Sequence, residues 1–110
     1  MSNRRVHASH PNIFAELGLP DADAHFLKAQ IVAELHRLTS QDSLTQAQAG
    51  ARMGVSQPEV SRLFKGNFRE YSAARPMGFL TAFGEDVEII ARPRGKDGAR
   101  GRISSRRAAA

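Results

Sequence analysis

One short run of the sequence carries side chains of the types that protein helices use to recognise nucleic acid. If the run is helical, the apolar Val60 and Leu63 lie on one face and the polar side chains lie away from it. These polar side chains are Gln57, Glu59, Ser61, Arg62 and Lys65. In the major groove of B-DNA a glutamine amide pairs with adenine and an arginine with guanine, glutamate accepts from cytosine, and serine bonds to either. That groove is about 12 Å wide and admits one helix. The run therefore indicates base recognition by one helix face.

Two adjacent segments carry explicit helix start signals. The runs Thr45–Gln48 (TQAQ) and Ser56–Glu59 (SQPE) both fit the capping box, in which the N-cap hydroxyl and the side chain three residues later satisfy each other's backbone donors. Pro58 falls in a first helical turn, where its missing N–H costs little. Gly54 and Gly66 follow the two helices, at positions that favour a positive φ. The sequence thus predicts two short helices joined by a tight turn.

The inner faces of these two helices have the composition that a close crossing requires. A small residue is needed at the contact, and Ala49 or Gly50 supplies it, while Gly54 supplies the turn. The apolar residues that would form the buried side are Met53, Val55, Val60 and Leu63. The segment 45–66 is therefore predicted to be a helix-turn-helix.

The N-terminal part is predicted to contain a flexible arm and two further helices. Residues 1–11 are polar and show no periodicity, so we expect a flexible arm. Asn12–Leu19 could form a short helix that Gly18 ends. After Pro20, Asp21 is placed to cap a long helix to about Thr39. Its apolar residues recur at helical spacing and must be buried: Leu27, Ile31, Leu35 and Leu38.

The C-terminal part is predicted to contain a last helix, one strand and a basic tail. Ser72 is expected to cap a helix to about Phe83, unless Pro76 makes that helix start one or two residues later or distorts its first turn. The alternating, β-branched run Val87–Ala91 indicates a strand, whose natural partner is the same strand of a second chain. Residues 92–110, rich in Gly, Arg, Ser and Ala, are expected to be disordered.

Composition limits the kind of protein this can be. The 110 residues suit one domain, which we place at residues 12–91, and the absence of cysteine excludes disulfides and points to the cytoplasm. Nothing near Met1 reads as a signal peptide, and no apolar run is long enough for a membrane span. The four histidines lack metal-ligand spacing, and no nucleophile–base pair or phosphate-binding glycine loop stands out. We therefore expect no enzyme, no cofactor or metal, no membrane and no small-molecule substrate.

The formal charge of +5 and the pI of about 10.7 arise mainly from the C-terminal tail. Residues 92–110 hold seven basic residues against Asp97, a net of +6, whereas residues 1–91 hold nine basic and ten acidic residues. The tail is either a passive solvated segment with non-specific affinity for nucleic acid or a specific contact. Basic residues nevertheless predominate within one stretch of the folded part: Arg52, Arg62, Lys65, Arg69 and Arg75, opposed by Glu59 and Glu70.

The central run resembles the helix-turn-helix of Xre/Cro-type regulators. The residues that match this pattern in register are Gln46, Gly50, Met53, Gly54, Val55, Ser56, Val60, Ser61, Arg62, Leu63 and Gly66. Gly50 stands where that family usually has alanine. We expect glycine to be sterically acceptable at this position but to loosen the helix by roughly 1 kcal/mol. The resemblance implies a mainly α, five-helix bundle with a short C-terminal strand.

The resemblance also implies roles for individual residues. Gln46 and Ser56 would bind phosphate, with helix-terminal donors assisting Ser56, and Arg69 would clamp the DNA backbone. Arg62 and Lys65 could contact either bases or phosphates. The candidates for base recognition are Gln57, Glu59 and Ser61. For Glu59 a purely structural role in the second capping box remains open, because a side chain that satisfies a cap is less free to read a base.

Residues 12–93 further resemble a subgroup of Xre-family antitoxins, the HigA-like partners of RelE/HigB-type toxins. The similarity lies in the segment 13–22, in the helix that follows it and in the segment 79–93, while Ser72–Gly78 departs from the pattern. It implies a homodimer that binds an inverted-repeat operator in double-stranded DNA, represses its own operon and neutralises a small ribonuclease toxin. Two alternatives stay open, a stand-alone Xre-family repressor and a helix-turn-helix used as a protein interaction module.

Overall fold

The computed structural model describes residues 4–6, 21–93 and 101–108, and these residues form a mainly helical fold. In chain order the elements are β1 (Arg4–Val6), α1 (Asp21–Gln41), α2 (Gln46–Met53), α3 (Gln57–Phe64), α4 (Ala74–Ala82) and β2 (Ile89–Ala91). The predicted fold class is thus confirmed, with four helices in the described residues instead of five. The additional helix expected over residues 12–19 lies outside the described residues.

The long helix α1 supplies one side of the core. Its predicted apolar stripe is buried, and Ile31 and Leu35 are 1% and 0% exposed. α1 extends to Gln41, slightly beyond the predicted end near Thr39. The opposite side of the core comes from α2, α3, α4 and the loop before α4, including Ala49, Val60, Leu63, Phe68, Met77 and Leu80. The buried side of α1 thus packs against α3 and α4, while α2 packs chiefly against α3.

The helix-turn-helix forms where the start and stop signals predicted it. At α2 the complete capping box is present, with Thr45 Oγ1 accepting from Gln48 N–H and Gln48 Oε1 accepting from Thr45 N–H. Gly54 ends α2 at φ 79°, and Gly66 follows α3 at φ 97°. The second capping box is only half formed, because Ser56 Oγ accepts from Glu59 N–H at 3.3 Å while the Glu59 carboxylate contacts other residues.

Gly50 lies at the point of closest approach between α2 and the turn. The Val55 N–H donates to the Gly50 carbonyl at 2.9 Å, which folds the turn back on the helix. A methyl group added at Gly50 would lie 2.6 Å from the Val55 carbonyl oxygen and 3.3 Å from Val60 Cγ2. Glycine is thus accommodated at this position, and the backbone of the turn occupies the space that a Cβ atom would need.

The last helix starts later than its sequence signal suggested. α4 begins at Ala74, its N-cap residue is Ala73, and no side chain caps it, so the assignment of Ser72 as the cap is wrong. The alternative of a later start holds, because Pro76 becomes the third helical residue, where an N–H would have no partner within the helix. Gly84 follows the helix at φ 82°.

The C-terminal strand finds its partner within the same chain. β2 pairs antiparallel with β1, and the register places Arg4 opposite Ala91 and Val6 opposite Ile89. The expectation that the strand would pair with a second chain is therefore not met. The strand β1 lies inside the segment for which we expected a flexible arm, because a three-residue strand without an apolar pattern gives no periodic signal.

Part of the basic tail returns to the helical core. Residues 101–108 have no regular secondary structure, yet Ile103 is half-buried and packs against the core. The Ser105 N–H donates to Gln30 Oε1 of α1 at 2.7 Å. The expectation of a disordered tail thus does not hold for these residues, because one apolar side chain and one backbone donor hold them on α1.

Candidate nucleic-acid interface

The helix α3 presents the predicted recognition residues on the side away from the core. Val60 and Leu63 are 0% and 1% exposed and fix the inner face of the helix. On the outer face the side chains of Gln57, Arg62 and Lys65 are exposed, whereas Ser61 and Glu59 are half-buried. The structure thus places these candidates along one helix, but their solvent exposure differs. Gln57, Arg62 and Lys65 are the most exposed of them.

Two of the predicted DNA-binding residues contact each other at the start of the two motif helices. Gln57 Nε2 donates to Gln46 Oε1 at 2.9 Å, an exposed hydrogen bond that joins the first turn of α3 to the first turn of α2. Ser56 is the exposed N-cap of α3. The candidate phosphate contacts Gln46 and Ser56 therefore lie beside the candidate base contact Gln57, which gives one continuous polar surface.

The Glu59 carboxylate is held by two side chains, one from α4 and one from the loop before it. Tyr71 Oη donates to Glu59 Oε2, and Arg75 Nη2 lies 3.0 Å from the same oxygen. The Arg75 guanidinium also stacks over the Tyr71 ring, 4.6 Å from its centroid, and lies 5.4 Å from that of Phe79. Burial, together with the hydrogen bond to Glu59 and the charge of that carboxylate, raises the pKa of Tyr71 to about 12. These contacts tie the recognition helix to α4 and its preceding loop.

The basic stretch seen in the sequence divides into paired and unpaired cations. Arg52 pairs with Asp42 at 3.0 Å, and Arg75 pairs with Glu59. Within the described residues, Arg62, Lys65 and Arg69 make no ion pair, and all three are exposed. The positive charge available to a polyanion in this part of the chain therefore concentrates at the C-terminal half of α3 and the loop that follows it.

A buried lysine, which sequence reasoning did not identify, positions that loop. Lys28 of α1 is 6% exposed, and its Nζ donates to the backbone carbonyls of Arg69 at 2.8 Å and Tyr71 at 2.9 Å. Burial lowers the pKa of Lys28, and the charge of Arg69 lowers it further. The signal in the sequence was helical spacing, since Lys28 shares the α1 face of Ile31 and Leu35.

Within residues 4–6, 21–93 and 101–108, no group of three or more His, Cys, Asp or Glu side chains is placed to hold a metal ion. No helix in the same ranges is long and apolar enough to cross a membrane.

Comparison with known proteins places this geometry in a family. Residues 13–92 match the family described as a helix-turn-helix domain. A solved structure described as an XRE-family transcriptional regulator is 36% identical, with a TM-score of 0.76, and the match covers 81% of this chain and 100% of that one. No curated protein sequence matches the chain. The chain therefore belongs to the helix-turn-helix domain family and has the XRE-type fold of DNA-binding transcriptional regulators, proteins that are typically not enzymes.

Proposed function

We propose that the protein is a sequence-specific transcriptional regulator that binds double-stranded DNA as a homodimer in the cytoplasm. The observation that supports this most strongly is the exposed face of α3, where Gln57, Arg62 and Lys65 lie beside the hydrogen-bonded first turns of α2 and α3. A helix of this kind enters the major groove with its N-terminal residues towards the base edges. The buried face of α3, fixed by Val60 and Leu63, gives the helix one orientation for reading DNA.

We assign the individual contacts from position and chemistry. Gln46 and Ser56 bind phosphates at the helix starts, where backbone N–H groups also favour an anion. Gln57 and Ser61 read bases, and Arg62 and Lys65 contact bases or phosphates. Arg69 clamps the backbone from the loop that Lys28 holds. Glu59, whose carboxylate already accepts from Tyr71 and pairs with Arg75, reads cytosine only through its remaining acceptor capacity.

Selection of bound duplexes from a random library tests the proposal. We expect an inverted repeat with half-site centres about 10 bp apart, because two recognition helices related by twofold symmetry enter successive major grooves. Sedimentation of the complex should then give two chains per duplex. Recovery of no enriched sequence, under conditions in which the protein is folded, would contradict the assignment. A single half-site bound by one chain would contradict the dimer alone.

We further propose that the regulator is the antitoxin of a type II toxin–antitoxin pair that represses its own operon and neutralises a RelE/HigB-like toxin. The support is the resemblance of residues 12–93 to that subgroup. Co-expression with the product of a small, basic neighbouring open reading frame tests this. We expect a stable complex and relief of growth arrest. Without such a neighbour or complex, the stand-alone Xre-family repressor becomes the better description.

The third reading, a helix-turn-helix used only as a protein interaction module, makes a different prediction. It requires the surface of Gln57, Arg62 and Lys65 to be covered in the native oligomer. Hydrogen exchange of α3 in the free oligomer and in the presence of selected DNA separates the two cases. Protection of α3 that appears only with DNA supports the regulator, and protection already present without DNA supports the module.

A further inference from the structure

The sequence pattern Glu-x-x-Arg occurs in two helices, as Glu34 and Arg37 in α1 and as Glu59 and Arg62 in α3. Side chains three residues apart are neighbours on a helix surface, so each glutamate has an arginine within reach of an ion pair. In α1 this pair forms through two hydrogen bonds, from Arg37 Nε to Glu34 Oε1 at 3.0 Å and from Arg37 Nη2 to Glu34 Oε2 at 2.7 Å. In α3, where both residues are described, no ion pair joins Glu59 to Arg62. The same local pattern therefore has two outcomes, and the difference must come from outside the helix.

The Glu59 carboxylate differs from that of Glu34 because residues that follow α3 already bind it. Tyr71 Oη donates to Glu59 Oε2, and Arg75 Nη2 lies 3.0 Å from the same oxygen. One carboxylate oxygen thus has both a hydroxyl donor and a guanidinium partner, and the Glu59 side chain is only 23% exposed. Arg62, by contrast, is exposed, and within the described residues it makes no ion pair.

Packing fixes both donors where they meet Glu59. The Arg75 guanidinium lies 4.6 Å from the centroid of the Tyr71 ring and 5.4 Å from that of Phe79, which is buried. The Tyr71 and Phe79 rings pack edge to face, with their centroids 6.3 Å apart. The backbone of Tyr71 is held as well, because Lys28 Nζ donates to its carbonyl at 2.9 Å. The core therefore holds the two donors independently of their contact with Glu59.

We propose that Tyr71 and Arg75 form a clamp that holds the Glu59 carboxylate away from Arg62 and so keeps the Arg62 guanidinium free to bind DNA. This inference rests on the proposed function and makes Tyr71 and Arg75 positioning residues, which act through Glu59. A free guanidinium group can donate two parallel hydrogen bonds to a guanine or a phosphate. An Arg62 that was paired as Arg37 is would have to break its ion pair first. The clamp thus protects the recognition helix from an ion pair that its own sequence favours.

Side-chain NMR of the free protein tests the clamp without DNA. The double variant Tyr71→Phe/Arg75→Met removes both donors, while the aromatic ring and an unbranched side chain remain to pack. The probe is the Nε–H resonance of Arg62, assigned by its absence from Arg62→Lys, because Nε is one of the two atoms through which Arg37 binds Glu34. We expect this resonance to move downfield in the double variant, as it does for an Nε–H that donates to a carboxylate.

The released Glu59 carboxylate has one competing partner within α3. It could turn to the Ser56 N–H and complete the second capping box, which is half formed in the wild type. In that case the Arg62 resonance would stay in place, and the proposal would be overturned. Addition of Glu59→Gln to the double variant should return the shifted Arg62 resonance to its wild-type position, and a shift that remains would overturn the proposal as well.

Titration of the selected duplex at low salt tests the consequence for DNA binding. The matched control is Arg52→Met, because Arg52 likewise pairs with a carboxylate, Asp42 at 3.0 Å, and lies over a ring, 5.4 Å from the Phe83 centroid. The control and Tyr71→Phe/Arg75→Met lose the same single positive charge. The double variant should bind about twofold more weakly than the control, which is the factor by which an exposed ion pair of this spacing competes with DNA.

The further substitution Glu59→Gln decides whether this loss acts through Glu59. Added to the double variant, it should abolish the twofold loss, measured against Glu59→Gln alone. A loss that persists would overturn the proposal, because Arg75 would then contact DNA itself or α3 would be displaced. A double variant that binds as tightly as the control would overturn it too.

Two checks keep these outcomes distinct. Circular dichroism establishes that each variant is folded at the assay temperature, and Arg75→Met alone takes the place of a double variant that is not. Failure of the wild-type protein to bind any selected duplex would refute the proposed function, while the NMR measurement would still decide whether the clamp keeps Arg62 unpaired.

Discussion

Two glycines in helices provide a matched test of how closely the motif helices pack. Gly50 lies in α2 and Gly78 in α4, and replacement of either by alanine improves intrinsic helix propensity by about 1 kcal/mol. Around Gly78 no atom lies within 4 Å of the position that a Cβ would occupy. Gly78→Ala should therefore raise the free energy of unfolding by about 1 kcal/mol, or the Tm by about 4–8 °C for a domain of this size.

At Gly50 the same methyl group meets backbone. It would lie 2.6 Å from the Val55 carbonyl oxygen and 3.3 Å from Val60 Cγ2. Overpacking of this kind costs about 1–3 kcal/mol, which outweighs the propensity gain and leaves a net loss of about 1 kcal/mol. Because the Val55 oxygen belongs to the turn, relief of the clash must also change the angle between α2 and α3.

Urea unfolding followed by far-ultraviolet circular dichroism measures both variants on the same scale. We expect opposite signs, with Gly78→Ala unfolding at higher and Gly50→Ala at lower urea concentration than the wild type. If α3 enters the DNA groove as proposed, a changed crossing angle misplaces it, so Gly50→Ala should also weaken DNA binding at a temperature where the protein remains folded. If Gly50→Ala stabilises the protein as much as Gly78→Ala does, the close approach described here is wrong.

Three other predictions concern the contacts that hold the motif in place. Tyr71 is the only tyrosine and the chain has no tryptophan, so its ionisation can be followed directly by ultraviolet absorbance. We expect a midpoint near the raised pKa of about 12, which Glu59→Gln should lower. The stability that this tyrosine contributes is complete below pH 10 and is lost as the pH rises from 10 to about 12, so a midpoint at 10 in the folded protein would contradict the contact. Lys28→Met leaves two backbone carbonyls without their donor and should lower the free energy of unfolding by about 1–3 kcal/mol, whereas the exposed Lys65→Met should have little effect on unfolding; equal effects would show that the buried contacts contribute nothing. Thr45→Ala removes one half of the capping box and should cost about 1 kcal/mol by the same assay, an effect that would be absent if α2 did not start at this residue.

The parts of the fold that were predictable from the sequence are those governed by local rules. The capping box at Thr45, the positive φ of Gly54 and Gly66, and the apolar stripe of α1 each depend on residues within a few positions of one another. The register of the helix-turn-helix follows from these signals. The exposure of Gln57, Arg62 and Lys65 then follows from helical spacing once the buried face is known.

The parts that were not predictable depend on contacts between distant segments. The Glu59 carboxylate had a local partner in its own capping box, but Tyr71 and Arg75 hold it instead, and only the packing of α4 brings them near. Lys28 is buried because its ammonium group reaches two carbonyls more than forty residues away in sequence. The pairing of β2 with β1 joins segments more than eighty residues apart in sequence, and the three-residue β1 is too short to give a periodic pattern.

The central claim is that the exposed face of α3 reads DNA. Equilibrium titration of Arg62→Ala and the wild type against the selected duplex and a scrambled one, over a range of salt, tests it most directly. Loss of a base contact should reduce discrimination between the duplexes by about 1–3 kcal/mol, and loss of a phosphate contact should lower the salt slope by about 1, while the control Arg92→Ala changes neither. Wild-type affinity, discrimination and salt slope in Arg62→Ala would contradict the claim.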